Sequence, residues 1–132
     1  MSELVSLSVA EMQEGLRSKK FNSLELTEAH LNQISKLNDS LNAFVSIHSE
    51  ESIKQAKAAD TLLQKESEKC SPMTGIPCAI KDAIVMKGSV TTNGSAILKN
   101  YQSPFDASVI EKLRSQNAVI LGKTNLDQFG MG

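Results

Sequence analysis

The sequence predicts an α/β fold, and three observations carry that prediction. Its first half is a series of segments with apolar residues at helical spacing, each opened by a capping residue. Its second half holds two short, mostly apolar runs, 76–80 and 118–121, of the kind that form buried strands. Between those runs lies a segment with helical periodicity, which gives the order strand, crossover helix, strand.

Taken in order, Ser8 and Glu11 form an S-x-x-E capping box, and Val9, Met12 and Leu16 follow on one face of a helix that runs to about Arg17. "SKKFNS" breaks it. Ser23 is read as the next N-cap, with Glu25 and Glu28 placed favourably for the helix dipole. Leu26, His30, Ile34 and Leu37 make the inner face of this second helix, and "NDS" ends it. Residues 41–47, "LNAFVSI", read as a short strand. Ser49, Glu50 and Glu51 open a third helix through "IKQAKAADTLLQK", a run of good helix formers with charges on its outer face. "ESEKCSPM" is a polar loop. After the strand at 76–80, residues 85–98 carry turn glycines at 88 and 94 and are expected to hold a loop or small hairpin. In "DASVIEKLRSQN", Asp106 is the expected N-cap, Val109, Ile110 and Leu113 the apolar face, and Asn117 the stop.

Composition narrows the function classes. The 132 residues are 40% hydrophobic and 22% charged with a net charge of -1, an ordinary balance for one globular domain. That charge gives no footprint for nucleic acid, and one Tyr, four Phe and no Trp make a base-stacking surface an unsuitable reading. No apolar run approaches the ~20 residues of a membrane span, and the first residues lack the basic and apolar regions of a signal peptide. Cys70 and Cys78 suit neither a disulfide framework nor a zinc pattern and are expected as free thiols. His30 is expected as a satisfied, half-buried histidine. His48 has no Cys or His at ligand spacing. The "GMG" ending looks cut, since a new element is due there.

Two lysine motifs invite nucleotide chemistry and fail. "CAIK" at 78–81 is one residue from the kinase V-A-I-K, but residues 50–75 hold a single glycine, Gly75, and no phosphate-covering loop. "GKT" at 122–124 resembles the end of a P-loop, but the first glycine of that motif would fall at 117, which is Asn117. Lys81 itself keeps two readings on physical grounds. It ends an apolar strand either because its ammonium snorkels to water or because a site uses it as a neutral amine. Asp82 points to the opposite face of an extended strand and does not decide between them.

Three stretches taken together, "TGIPCAIKD", "KGSVTTNGSAIL" and "FDASVIEKLRSQNAVILGKTNLDQFGMG", resemble the N-terminal part of the amidase signature family. Within it they are similar to the A subunits of glutamyl-tRNA(Gln)/aspartyl-tRNA(Asn) amidotransferases, and the resemblance covers essentially all of residues 1–132. The combination of G-I-P-x-x-I-K-D with G-K-T-N-x-D-x-F-x-M-G is what makes it specific. The resemblance implies an amidase-signature fold that is incomplete here: N-terminal helices, then the first strands and helices of a mixed sheet, in a single amidase domain that stops before the Ser/Gly-rich signature. It implies a Ser-cisSer-Lys triad in which Lys81 is the base and both serines lie downstream, so that residues 1–132 alone are expected to be inactive. Asp82 is then expected to point away from Lys81 and to serve the structure. Met131 is expected to wall the substrate pocket, and Thr124 and Asn125 to shape the turn after the strand. Ala83, Gln128 and Gly130 depart from the relatives' usual Asn, Glu and Ala.

The implied setting is a cytoplasmic bacterial protein, or an organellar one in a eukaryote. Its partners would be glutamine, the B and C subunits of a heterotrimer and, through the complex, misacylated tRNA. Hydrolysis would need no cofactor in this subunit, while ATP and magnesium would serve the whole complex. The alternatives are another amide hydrolase of the same family and a naturally short, non-catalytic partner-binding domain.

Overall fold

The computed structural model describes residues 3–132. Its main elements are α1 (Val9–Arg17), α2 (Ser23–Leu41), β1 (Phe44–Ile47), α3 (Ser49–Glu66), β2 (Pro77–Lys81), α4 (Ser108–Ser115) and β3 (Val119–Thr124), with short 3-10 turns between some of them. The strands form one mixed sheet in the order β1-β3-β2. β3 is central, antiparallel to β1 and parallel to β2. The unit β2-α4-β3 is the crossover expected from the sequence.

Capping explains where α1 and α2 start, whereas α3 and α4 begin without a side-chain cap. Ser8 accepts from the Glu11 amide at 3.3 Å, while the Glu11 carboxylate accepts from the Ser8 amide at 2.7 Å, which closes the predicted box. The cap of α2 lies one residue earlier than expected. Asn22 accepts from the Glu25 amide, and Glu25 accepts from the Asn22 amide. Ser23, the residue read as the cap, instead donates its hydroxyl to the Gly75 carbonyl at 2.8 Å and is buried. Asp60 on α3 completes the start of α2 by accepting from the Ser23 and Leu24 amides at 2.6 and 3.1 Å. α2 runs past "NDS" to Leu41 and ends at Asn42, which adopts the left-handed conformation that Asn tolerates. The expected strand at 41–47 is therefore shorter. Asp106 does not cap α4, since Ala107 occupies that position. Its carboxylate accepts from the Lys87 amide at 2.7 Å and pairs with Arg114 at 3.3 Å. Asn117 ends that region with φ 58°.

Three apolar clusters hold these elements together. Met12, Leu16, Leu26 and Ile76 join α1 and α2 to the entry of β2. Ala56, Val119 and Leu121, with Leu24, Leu31, Ile34 and Phe44, pack α2 and α3 on one face of the sheet. Ile80, Met86, Ile110 and Ile120 pack α4 on the other. β3 is thus covered on both faces, which accounts for its continuous apolar run. Val9, Leu37 and Val109, read as parts of apolar helix faces, are exposed. Residues 85–98 form a looped segment rather than a hairpin. Single bridges join Lys87 to Ser103 and Val90 to Gln102, and Gly88 and Gly94 take positive φ as turn glycines do.

The register of β3 determines which way its lysine faces. Cys78 pairs with Ile120 and Ala79 with Gly122, so Leu121 is an extra residue on β3 opposite β2. Strict alternation from Val119 and Leu121 would put Lys123 on the α2/α3 face. The slip pairs Lys123 with Ile80 and turns it to the other face. Gly122 sits where β1 crosses closest. A Cβ there would collide with the Ser46 carbonyl oxygen and lie 3.0 Å from the Ile47 Cα.

Candidate active site

Lys81 is the last residue of β2, in register with Thr124, and its side chain is exposed. Its backbone carbonyl accepts from the Ile84 amide at 2.9 Å, which turns the chain away directly after the strand. Among the described residues the Lys81 ammonium has no hydrogen-bond or ion-pair partner. Ala79, two residues back on the same face, is exposed as well. The described residues therefore present the lysine but do not enclose it.

Asp82 turns the opposite way, into the interior, and is fully buried. One carboxylate oxygen accepts from the Lys123 ammonium at 2.9 Å. The other accepts from the Thr92 amide at 3.0 Å and from the Thr92 hydroxyl. Lys123 is also completely buried and donates to the Thr91 hydroxyl at 3.0 Å. Because a buried charge must be paired and hydrogen-bonded, each of these two groups needs the other. The interior lysine of this fold is thus Lys123, the lysine of the "GKT" at 122–124. A period-two reading of β2 could have found its partner, since Ile80 and Asp82 share a face and the Ile80 side is core. What the sequence could not show is the slip at Leu121 that brings Lys123 to that face.

Met131 lies after a 3-10 turn over Gln128–Gly130 and is 77% exposed. It is joined to the β2 end through backbone bonds. The Asn93 amide donates to the Asp82 carbonyl at 2.9 Å, and the Phe129 amide donates to the Asn93 carbonyl at 2.9 Å. The Gln128 amide side chain also donates to the Ser95 hydroxyl at 3.0 Å. Asn125 tethers the exit of β3: its backbone amide donates to Ala43, its side-chain amide to the Asn42 carbonyl, and its side-chain oxygen accepts from Leu126. Thr124 is the final β3 residue.

The remaining polar candidates are accounted for locally. His30 shares a hydrogen bond with the Leu26 carbonyl at 2.8 Å. His48 occupies the N-cap position of α3, and burial, then the nearby Lys123 and Arg114 charges, hold its imidazole below the usual histidine range, with Glu51 opposing. Both cysteines are free, and burial pushes the Cys78 thiol up to about 11, so it is a poor nucleophile. Among the described residues no cluster of His, Cys, Asp and Glu could hold a metal, and no helix is long and apolar enough to cross a membrane.

The amidase family model matches residues 25–132. This chain belongs to the amidase family. It is 46% identical over 125 residues to the A subunit of the glutamyl-tRNA(Gln) amidotransferase of Nitrosococcus oceani, covering 95% of this chain and 26% of that protein. It is 42% identical over its whole length to the corresponding protein of Dehalococcoides mccartyi, of which it covers 27%. Among solved structures it resembles the peptide amidase of Stenotrophomonas maltophilia (TM-score 0.83, 31% identity, 92% of this chain and 25% of that one). It also resembles an amidase family protein of Bacillus anthracis (TM-score 0.86, 27% identity, 96% and 25%). The fold is therefore the amidase-signature fold, and this amidase chain spans about a quarter of the length of these relatives.

Proposed function

We propose that these residues are the N-terminal quarter of a glutamine-hydrolysing A subunit of a tRNA-dependent amidotransferase, and that Lys81 is the base of its Ser-cisSer-Lys triad. The observation that carries the Lys81 assignment is the division of labour at the end of β2. Asp82, the carboxylate next to Lys81 in sequence, is bound to Lys123, so among the described residues no salt bridge holds Lys81 as an ammonium. In this reading a serine supplied by the rest of the domain attacks the glutamine amide carbonyl. Its proton passes through the second serine to the neutral Lys81 amine, and Lys81 returns it to the departing nitrogen, which leaves as ammonia. Water then hydrolyses the acyl ester to glutamate. Because Lys81 is exposed here, the remaining three quarters of the domain must supply the dry surroundings that favour a neutral amine.

Ammonia is consumed elsewhere in the heterotrimer, with the B and C subunits, where ATP and magnesium activate Glu-tRNA(Gln) or Asp-tRNA(Asn). On this reading the protein serves bacterial translation in the cytoplasm. The support for this branch is the 42–46% identity to A subunits over nearly the whole chain. The likeness to a peptide amidase at 31% identity supports the second reading, another amide hydrolase on the same fold. Residues 1–132 alone should release no ammonia from glutamine. In the complete chain, Lys81→Ala should abolish ammonia release while leaving the far-UV circular dichroism unchanged. Near-normal turnover by that variant would rule out the triad assignment.

A further inference from the structure

We propose that the buried Asp82–Lys123 pair, with Thr92, is a positioning device that holds Lys81 and the 127–131 segment in one fixed relation. The proposal rests on the reading of Lys81 as the base. Three chain segments meet at this pair. Asp82 follows Lys81 directly and is bonded to the end of β3 twice, by its amide to the Thr124 carbonyl at 2.9 Å and by its carboxylate to Lys123. Thr92 donates both its amide and its hydroxyl to the Asp82 carboxylate, and that hydroxyl accepts from the Gly94 amide at 3.2 Å. The adjacent Asn93 bridges the Asp82 carbonyl to the Phe129 amide, two residues before Met131. The turn at 92–94 is therefore clamped on one side to the residue after Lys81 and on the other to the segment carrying Met131.

A fully buried ion pair is a costly way to stabilise a core, because desolvation offsets most of the attraction. Its geometric value is greater, since charge-assisted bonds fix distance and direction more tightly than apolar packing. Here that rigidity is applied within one residue of Lys81. Positional error near a reacting group is expensive: about 1 Å can cost on the order of a hundredfold in rate.

The test uses the complete amidase chain, assembled as it normally occurs, with glutamine as substrate and ammonia release as readout. Thr92 is partly exposed, so its variants should fold. Thr92→Val keeps the shape but removes the hydroxyl, and Thr92→Ser retains it. With rates normalised to folded enzyme, Thr92→Val should lower kcat about tenfold, roughly the value of one charge-assisted hydrogen bond, and also raise KM. Thr92→Ser should restore both. Asp82→Asn should lower kcat further if it folds. A Thr92→Val enzyme with unchanged kcat and KM would overturn the positioning role, even if its melting temperature fell. Lys81→Ala is measured beside it. If that variant is inactive while Thr92→Val is normal, only the positioning role is lost. If Lys81→Ala retains turnover, the reading of Lys81 and the proposal built on it both fail.

Discussion

Removing one member of the Asp82–Lys123 pair tests the interior most directly. In Lys123→Met the methionine fills much of the same volume, so the main effect is electrostatic. The Asp82 carboxylate loses its 2.9 Å cation but keeps the Thr92 amide at 3.0 Å and the Thr92 hydroxyl. Breaking a buried pair costs about 3–5 kcal/mol, and the two surviving donors place this variant near ~3. Asp82→Asn leaves the opposite charge. Lys123 then retains the Thr91 hydroxyl, a 3.5 Å contact to the Val90 carbonyl and a neutral amide oxygen in place of the carboxylate, which keeps its cost in the same range of about 3–5 kcal/mol. The double variant buries no charge and should lose clearly less than the sum, with a coupling of at least ~2 kcal/mol. Urea unfolding followed by circular dichroism reads this out. With a slope of about 1–3 kcal/mol per molar, each single change should lower the midpoint by ~1 M or more. Single variants costing under ~1 kcal/mol, or a double variant that is simply additive, would refute the picture of two mutually dependent buried charges.

Two further outcomes come from the sheet and its edge. Gly122→Ala forces a methyl into the Ser46 carbonyl oxygen, a backbone atom that cannot rotate aside, so it should destabilise by about 1–3 kcal/mol. Amide exchange at His48, whose N–H is bonded to Leu121, should speed up with it, and an unchanged midpoint would contradict the close approach. His48 is held below the usual histidine range in the folded state, mainly by burial, so the unfolded chain takes up its proton first as pH falls. Its contribution should therefore be intact above about pH 6.5 and decline below it. His48→Gln should flatten the stability profile between about pH 7.5 and 5.5, and parallel profiles for the two chains would remove the assignment.

The helical half was legible because capping is local. The Ser8–Glu11 box needs only neighbouring residues, and α3 opens at Ser49 with Glu50 and Glu51 in its first turn but no side-chain cap. Where a cap-type side chain serves a distant partner, the same logic misplaces it. Ser23 reaches Gly75, and Asp106 reaches Lys87 and Arg114, contacts that only tertiary structure creates. The strands were found by their apolar runs, but β3 extends beyond "AVIL" through a glycine and a lysine that no hydrophobic pattern would include. Motif resemblance singled out Lys81, whereas the partnership of Asp82 with Lys123 depends on a register slip. Pairing register is a property of two strands together, and neither strand's sequence carries it alone.

That slip has a consequence for how this segment can change over time. In five residues, Val119 to Lys123, β3 delivers apolar groups to two different cores and a cation to one of them, and the extra Leu121 is what permits it. Losing a single residue here would not just shorten a strand. It would remove a side chain from one core or change which side chains face which, stranding Asp82 if Lys123 moved. Substitutions that preserve size can accumulate on either side of the sheet, but the residue count from Val119 to Lys123 is expected to resist insertion and deletion.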